Sequence, residues 1–404
     1  MKNSSGTQLT NYRFVVGLLI GLFGFSTGLN MLVTGPITPL IIDTYGINNS
    51  TAGLLTSIIF IVKGVLAIPV SMVVDRLPLK TMITLGGLTL SAPLLSFLAV
   101  DSFSLLLLSR AVHGLGFLLI LPAAVAIFMQ QFRPKELPLV NGSFTAAIIL
   151  GITTSNFVVV RLVAHIPWEV VLSICGGVAL IVTIAWALFG NASPITREEK
   201  DNRTIHNVRN VLADRDDRLL IAADLGPLTL FTVSSAWLPT FYHETLGFPL
   251  TKAGGLMSTL SLAGFLSLLL ASFIASRTHQ RKPFLIIPGI LAGFAGIATV
   301  STSNLWILYI AMVTLGFVIW FYLPVLMTMV MERHSSNPSR AATVFAVLLG
   351  LGGIAGFLGP PAVGAIADLT GSFIPGIVIF SITAWSLLLS GILLPETAKP
   401  RRLC

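Results

Sequence analysis

Long uninterrupted apolar runs constrain the fold of this chain more than any other feature. A helix of about 20 apolar residues crosses a bilayer, whereas an open sheet edge cannot satisfy its backbone groups in lipid. Charged residues make up 10% of the sequence, against about 25% in a soluble globular protein. The sequence therefore predicts an all-α membrane protein. Twelve runs are long enough to span, at residues 14–42, 52–74, 81–100, 103–131, 139–162, 168–190, 219–242, 252–276, 284–303, 305–331, 341–367 and 373–395.

The lysines and arginines predict how these runs are oriented. Arg161 and Lys252 lie in loops on one side of the membrane, and Lys63 and Arg110 lie within runs. The other 20 of the 24 lysines and arginines (24 less these four) lie in segments on the opposite side of the membrane. Cytoplasmic loops carry the excess of basic residues, so both termini are predicted to be cytoplasmic; we call this side inner and the opposite side outer. The net charge of +8 then reflects topology, with anionic membrane lipid as a partner and nucleic acid excluded.

The chain divides into two similar halves. Three pairs of short segments share an offset of 201 residues: DTYG at 43 with ETLG at 244, AGLL at 52 with AGGL at 253, and DRLPLK at 75 with SRTHQR at 276. Two copies of six spans form two pseudo-symmetric bundles with a site between them near the membrane midplane. We expect an N-terminal bundle at 1–190, a cytoplasmic linker loop at 191–218 and a C-terminal bundle at 219–404.

Enzyme chemistry has no support in the sequence. The six histidines form no pair with metal-ligand spacing, and there is no phosphate loop of the G-x-x-x-x-G-K type. Two cysteines exclude a disulfide framework. We therefore predict a protein that is not an enzyme, with no cofactor and no metal.

Three motifs resemble those of the major facilitator superfamily. The loop SMVVDRLPLK at 71–80 resembles the pattern after the family's second span, with Ser71 and Pro78 in place of glycines. RAVHGLG at 110–116 resembles the fourth-span pattern, with His113 at a glutamine position. GIAGFLGPPAVGAIADLTGS at 353–372 resembles the eleventh span. The resemblance covers nearly the whole chain and implies a monomeric secondary transporter that works by alternating access.

The resemblance also implies which residues act as gates. Charged groups of the loop after the second span would hold the inner helix ends together in the outward-open state, and the second half keeps a degenerate copy. The alternative is that these are only inner-face topology charges. A Gly-Pro segment of the eleventh span would bend or loosen a moving helix. The expected gating residues are Asp75, Arg76, Lys80, Arg277, Arg281, Gly359 and Pro360.

A narrower resemblance concerns the anion permeases of cyanate and nitrate type. It rests on GLNMLVTGPITPLI at 28–41 and AWLPTFYHETLG at 236–247. An arginine that often follows the Leu-Asn-Met stretch there is absent from this chain. The fifth span, AAIILGITTSNF at 146–157, also lacks the G-P-x-x-G-G motif of proton-driven drug exporters.

Lys63 and Arg110 are charged residues inside predicted spans. Lys63 lies roughly 18 Å deep in a core of about 30 Å. A charge there costs at least about 2.5–3.5 kcal/mol on insertion scales, so it should face a wet cavity or a partner. Arg110, about 10 Å below the outer surface, shares a helix face with His113, Gly114 and Phe117. We expect a cationic, partly titratable surface that binds substrate.

Asp224 is the one acid well inside a predicted span, within about 5 Å of the depth of Lys63. Two cations against one acid leave a positive charge for an anionic substrate. Two alternatives remain open: Asp224 forms a permanent ion pair with Lys63 between the bundles, or it carries the coupled proton because burial favours its neutral form.

Uncharged polar side chains complete the predicted site. Asn30, Asn156, Trp320 and Tyr322 lie within spans and are expected to line the cavity, although hydrogen bonding between helices is the alternative for such groups. The function expected is transport of a small anion together with protons, in a prokaryotic inner membrane. The alternatives are proton-driven efflux of drug-like or other small molecules, and a transporter-like sensor.

Overall fold

A computed structural model describes residues 12–74, 77–133, 136–192, 204–278, 280–335 and 337–397. Within these ranges the regular structure is entirely helical, as the apolar runs predict. The α-helices are α1 Tyr12–Met31, α2 Thr38–Tyr45, α3 Asn49–Val74, α4 Leu79–Leu90, α5 Phe103–Gln131, α6 Leu137–Leu162, α7 Trp168–Phe189, α8 Thr204–Ala213, α9 Arg215–Thr240, α10 Leu250–Arg277, α11 Pro283–Ala298, α12 Leu305–Phe321, α13 Leu323–Arg333, α14 Pro338–Thr370, α15 Ile374–Thr383 and α16 Ser386–Leu393.

Eleven helical stretches in the described part of the chain are long and apolar enough to cross a membrane. Some contain a break: the first runs from α1 through the short 3₁₀ turn Gly35–Ile37 into α2. The predicted run at 284–303 forms the shorter apolar helix α11, which ends at Ala298. Sixteen residues span about 24 Å, so α11 supplies a short ninth span. The predicted all-α membrane fold is confirmed.

The predicted linker loop contains helix, which corrects the expectation for 191–218. Within it the described residues form α8, and α9 begins at Arg215 rather than near 219. The Asp214 side chain accepts hydrogen bonds from the backbone N–H groups of Asp216 and Asp217. This N-cap satisfies two of the four free N–H groups at the start of the helix, which explains why α9 extends into a polar segment.

The helices pack as two sets. In the N-terminal bundle, α1–α7, α1 packs on α6 and α4 on α5; in the C-terminal bundle, α9–α16, α10 packs on α12 and α9 on α14. The main contacts between the bundles join α3 to α14, α6 to α10, and α9 to the turn Gly35–Ile37. These contacts frame the region where a ligand would bind between the two halves.

Candidate functional site

Lys63 lies on the face of α3 that is turned toward α1 and α5. Its ammonium nitrogen is 3.8 Å from the centre of the Phe117 ring, 5.2 Å from that of Phe60 and 4.0 Å from the sulfur of Met31. Cation–π contacts of this kind stabilise a desolvated cation without neutralising it. No carboxylate among the described residues forms an ion pair with Lys63. The partly buried amino group therefore has no ion-pair partner among the described residues.

Arg110 is fully buried and binds backbone instead of facing a cavity. Its guanidinium donates to the carbonyls of Asn30 at 2.6 Å, Met31 at 2.8 Å and Leu55 at 3.5 Å. Because α1 ends at Met31, these first two carbonyls have no N–H partner within the helix, and a cation is favourable there. In this conformation Arg110 caps α1, and its contact with substrate stays a prediction.

His113 is also turned away from the predicted cationic surface. Its Nδ1 donates to the carbonyl of Leu90 in the α4 segment at 3.0 Å, and the ring is 1% exposed. Gly114 and Phe117 do face α3: Gly114 packs on Val62, and the Phe117 ring contacts Lys63. The i+3 position lies about 60° away from Arg110 around the helix, which is enough to direct His113 at α4. His113 therefore serves the packing of α4 on α5.

Asp224 of α9 pairs with a hydroxyl rather than with a cation. Tyr322 Oη donates to Asp224 Oδ1 at 2.7 Å, and both side chains are buried. Tyr322 lies at the break between α12 and α13, where Pro324 interrupts the backbone hydrogen bonding. The permanent Lys63–Asp224 ion pair that the sequence left open is not formed here. In this conformation Tyr322 holds the carboxyl group, and its contact with substrate stays a prediction.

A glycine segment of α14 contacts Asp224 of α9 on one side and the backbone of α3 beside Lys63 on the other. A Cβ atom added at Gly352 would be 3.5 Å from Asp224 Oδ2, and one added at Gly353 would be 2.7 Å from the Cα of Gly64, next to Lys63. The Asp224 side chain therefore approaches this stretch of α14 directly, whereas α3 approaches it through the backbone of Gly64, the residue after Lys63. The small residues allow this approach because they present only backbone.

The remaining predicted cavity residues have packing roles in this conformation. Asn30 is fully buried and donates to the carbonyls of Ser26 and Cys175. Asn156 joins the bundles, since its Nδ2 donates to Ser261 Oγ at 3.3 Å. The Trp320 ring lies over Gly264 and meets Phe231 edge-on, with ring centres 5.4 Å apart.

The repeat explains why the site is asymmetric. Gly264 is 201 residues after Lys63, so the two occupy the same position in their halves. Where the N-terminal bundle places an ammonium over Phe117, the C-terminal bundle places Trp320 over Gly264. The positive charge therefore comes from one bundle and the buried carboxyl from the other.

The outer ends of the bundles are in close contact. Gly53 and Gly254 are a repeat pair, 201 residues apart. A Cβ at Gly53 would lie 2.8 Å from the Pro360 carbonyl oxygen in α14, and one at Gly254 would meet the Asn156 carbonyl oxygen in α6. Asp368, at the outer end of α14, accepts hydrogen bonds from the first turn of α3. The outer side is therefore closed in this structure.

Asp368 is a candidate gate residue that the sequence analysis did not assign. It was part of the eleventh-span motif, yet nothing local to its sequence shows that it meets α3. One sequence signal for contacts between the halves was available: Gly53 and Gly254 share the 201-residue offset. Equivalent small residues in a repeat mark equivalent helix contacts.

The predicted inner gate is only partly described. Asp75 and Arg76 lie outside the described residues, and Lys80 is exposed at the start of α4. Arg277 stacks on Phe273 at 4.2 Å, and Arg281 pairs with Glu332 at 2.8 Å. Each ion pair between two described residues joins groups of one bundle, so the gating roles stay predictions.

The Gly359–Pro360 segment does not break its helix. Helix α14 runs from Pro338 to Thr370 without interruption, and the expected bending or loosening at this point stays a prediction. A proline leaves earlier carbonyls without their N–H partner, but the Pro360 carbonyl itself accepts from Trp237 Nε1 at 2.7 Å. The contact with α9 holds this part of α14 in place.

Comparison with known proteins agrees with this architecture. The sequence pattern of the Major Facilitator Superfamily matches residues 18–360. The chain belongs to this superfamily. It is a multi-pass membrane transporter of the secondary type, and not an enzyme. The resemblance noted in the sequence motifs is thereby confirmed.

Individual relatives are distant. The chain is 26% identical over 356 residues to the cyanate transport protein CynX of Escherichia coli, covering 86% of this chain and 89% of that protein. It is 29% identical over 240 residues to an uncharacterized protein of Campylobacter jejuni, covering 58% and 71%. The crystal structure of a bacterial homolog of the human lysosomal transporter Spinster, inward-facing and occupied, has a TM-score of 0.76 at 18% identity, covering 97% and 99%. This last similarity concerns the fold.

Proposed function

We propose that this chain transports a small anion, inorganic or a carboxylate, together with protons. The observation that carries the proposal is the ammonium of Lys63, held by Phe117, Phe60 and Met31 with no carboxylate partner among the described residues. An uncompensated charge in a span costs at least about 2.5–3.5 kcal/mol. A bound anion offsets that cost. The free energy of anion binding is then gained where the two bundles meet.

The distant similarity to a cyanate transport protein supports the same substrate class, because cyanate is a small anion. Arg110 adds a second positive charge behind the lining of the site. Its hydrogen bonds go to neutral carbonyls, so its field reaches the substrate without direct contact. We expect the transporter to act as a monomer in a prokaryotic inner membrane.

Asp224 supports the proton-coupled part of the proposal. It is the titratable acid that faces the glycine segment of α14 from the C-terminal bundle, and a neutral hydroxyl is its hydrogen-bond partner. Without a neighbouring cation to fix its charge, a buried carboxyl can bind and release a proton. The substrate anion near Lys63 and the proton on Asp224 would then cross together as the bundles rock.

The test begins with thermal unfolding of purified protein in cyanate, nitrate, formate, acetate and neutral solutes of similar size. A ligand stabilises the state that it binds, by about 2.7 kcal/mol at 100 times its Kd. We expect anions to stabilise the wild type, Lys63→Arg to retain part of this effect, and Lys63→Gln to lose it. Arg133→Gln, which removes an exposed inner-side cation, should behave as wild type.

Uptake into proteoliposomes decides between the alternatives. Full anion uptake by both Lys63→Ala and Lys63→Arg would remove Lys63 from the substrate site. Stabilisation by neutral or cationic organic solutes, with export as the direction of flux, would favour the efflux alternative. Binding without counterflow would favour a sensor.

A further inference from the structure

A crevice lies on the outer half of the contact between α6 and α10, away from Lys63 and Asp224. Its volume is about 600 Å³, within the range of small-molecule sites. The residues that define it come from three helices: Phe157 and Arg161 of α6, Lys252, Gly255 and Leu262 of α10, and Tyr309 of α12. Both bundles therefore contribute to one recess.

The mouth of the crevice is positively charged. Arg161 and Lys252, the two cations that the sequence predicts on the outer side, both line it. The Arg161 guanidinium stacks on Phe157 at 3.5 Å, and the Lys252 ammonium lies 3.8 Å from the Phe248 ring. Its lining includes no acidic side chain. Each cation is within two residues of the outer end of its helix, which is the level of the lipid headgroups.

Below the mouth the hydroxyl side chains of Thr153, Ser258 and Thr259 share the lining with Leu262, and from Leu262 an apolar strip continues along the exposed face of α10. Leu262 is 46% exposed, and Leu266 and Leu269 follow it with exposures of 57% and 48%. Spacings of four and three residues place all three on one face of α10. Phe157 on the opposite wall is 47% exposed. A ligand that fills this shape has an anionic head and a hydrocarbon tail.

We propose that the crevice binds an anionic phospholipid of the outer leaflet. Its phosphate lies between Arg161 and Lys252, and one acyl chain follows Leu262 and Leu266 along α10. Because the cations belong to different bundles, the phosphate bridges them when α6 and α10 are close, as Gly254 allows here. The bound lipid thus stabilises the conformation that is closed on the outer side. A soluble anion would use the cations alone and leave the apolar wall unoccupied.

Native mass spectrometry of the full chain measures this binding directly. The probes are phosphatidylglycerol, phosphatidylcholine and glycerol phosphate, titrated into detergent-solubilised protein. We expect phosphatidylglycerol to bind more tightly than phosphatidylcholine. Near a membrane surface each Lys or Arg contributes about 1 kcal/mol, or about fivefold in affinity. The double variant Arg161→Gln/Lys252→Gln should therefore bind phosphatidylglycerol about 25-fold more weakly, with Arg133→Gln as the control.

A second variant tests the apolar part without touching the charges. A Cβ added at Gly255 meets nothing within 4 Å, and the same is true of Gly21 in α1. Gly255→Leu should fold, fill the crevice and weaken phosphatidylglycerol binding, whereas Gly21→Leu should not. The proposal fails if the double variant binds phosphatidylglycerol as wild type does, if glycerol phosphate binds as tightly as the lipid, or if the wild-type crevice is occupied by a second copy of the chain.

Discussion

The Asp368 carboxylate of α14 caps the first turn of α3, which belongs to the opposite bundle. Its Oδ1 accepts hydrogen bonds from the backbone N–H and the Nδ2 of Asn49 at 3.0 and 2.9 Å, and its Oδ2 accepts from the Ser50 N–H at 2.9 Å. A carboxylate at a helix N-terminus satisfies free N–H groups and complements the helix dipole. This contact exists only when the outer ends of the bundles meet.

Asp368→Asn should weaken closure on the outer side. Asparagine keeps one acceptor oxygen but removes the charge that complements the helix dipole, which contributes about 0.3–1 kcal/mol, or roughly two- to fivefold in the population of the open conformation. The measurement uses a cysteine introduced at Ala52, which is buried at the outer gate. Opening exposes this cysteine, so a membrane-impermeant maleimide should label it faster in intact cells. Asp101→Asn, an exposed outer acid, is the matched control, and equal labelling rates in both would rule out the cap as a gate.

Gly53→Ala and Gly254→Ala should each hinder the same closure sterically. The added Cβ would meet the carbonyl of Pro360 or of Asn156, and backbone atoms cannot move away as a flexible side chain can. We expect slower transport and more outward-facing protein in both variants. Gly21→Ala, where a Cβ meets nothing within 4 Å, should transport as wild type. Wild-type turnover by either gate variant would show that this close approach is dispensable.

Arg110→Lys should destabilise the protein without removing its anion specificity. Lysine retains the charge but cannot reach the carbonyls of Asn30, Met31 and Leu55 together, and a buried acceptor left unpaired costs about 1–3 kcal/mol. Thermal unfolding should show the loss, whereas the apparent Kd for the anion in the folded fraction should change less than it does in Lys63→Gln. The reverse result, normal stability with lost binding, would make Arg110 a substrate ligand.

Asp224→Asn should uncouple transport from protons. The amide cannot bind and release a proton, so a pH gradient should no longer drive accumulation, while exchange of anion for anion continues. Tyr322→Phe keeps the carboxyl group and removes the 2.7 Å hydrogen bond, so it should still accumulate substrate, at a lower rate. Counterflow and gradient-driven uptake in proteoliposomes separate the two. Accumulation by Asp224→Asn at the wild-type level would place the proton elsewhere.

Acid pH should lower the folding stability contributed by the inner end of the C-terminal bundle. Partial burial tends to raise the pKa of Asp214, but hydrogen bonds from the backbone N–H groups of Asp217 and Asp216 and the nearby Arg333 and Arg340 lower it below its usual value. Because the pKa is lower in the folded state, this contribution is complete above the unfolded pKa, near 4. It is lost as the pH falls through the folded value.

Asp214→Asn should therefore lower the Tm at pH 7 by a few degrees, and the difference from wild type should shrink as the pH falls below about 4. Thermal unfolding between pH 7 and pH 3 measures both effects. Asp101→Asn, which removes an exposed acid of the outer side, should leave the Tm unchanged. A constant difference across this range would show that the Asp214 charge contributes nothing.

The candidate site was only partly predictable. Lys63 and Asp224 were identified as intramembrane charges at similar depth because a charged residue stands out within an apolar run. The structure places Asp224 against the glycine segment of α14 and Lys63 among aromatic and sulfur groups of α1, α3 and α5. Arg110 and His113 were expected beside Lys63 because helical spacing places them on one side of α5. Spacing along one helix gives an angle but not the neighbour found there, and their neighbours proved to be the end of α1 and α4.

The sequence alone determined that the chain is a helical membrane protein with charge asymmetry and a 201-residue repeat, and its motifs resemble those of the major facilitator superfamily. These features follow from properties that are local or periodic: transfer of side chains into lipid, and duplication of one pattern. Only the tertiary structure decided that Asp224 pairs with Tyr322, that Arg110 caps α1 and that Asp368 meets α3. Each of these contacts joins residues at least 79 positions apart, and which groups meet over such separations depends on how whole helices pack.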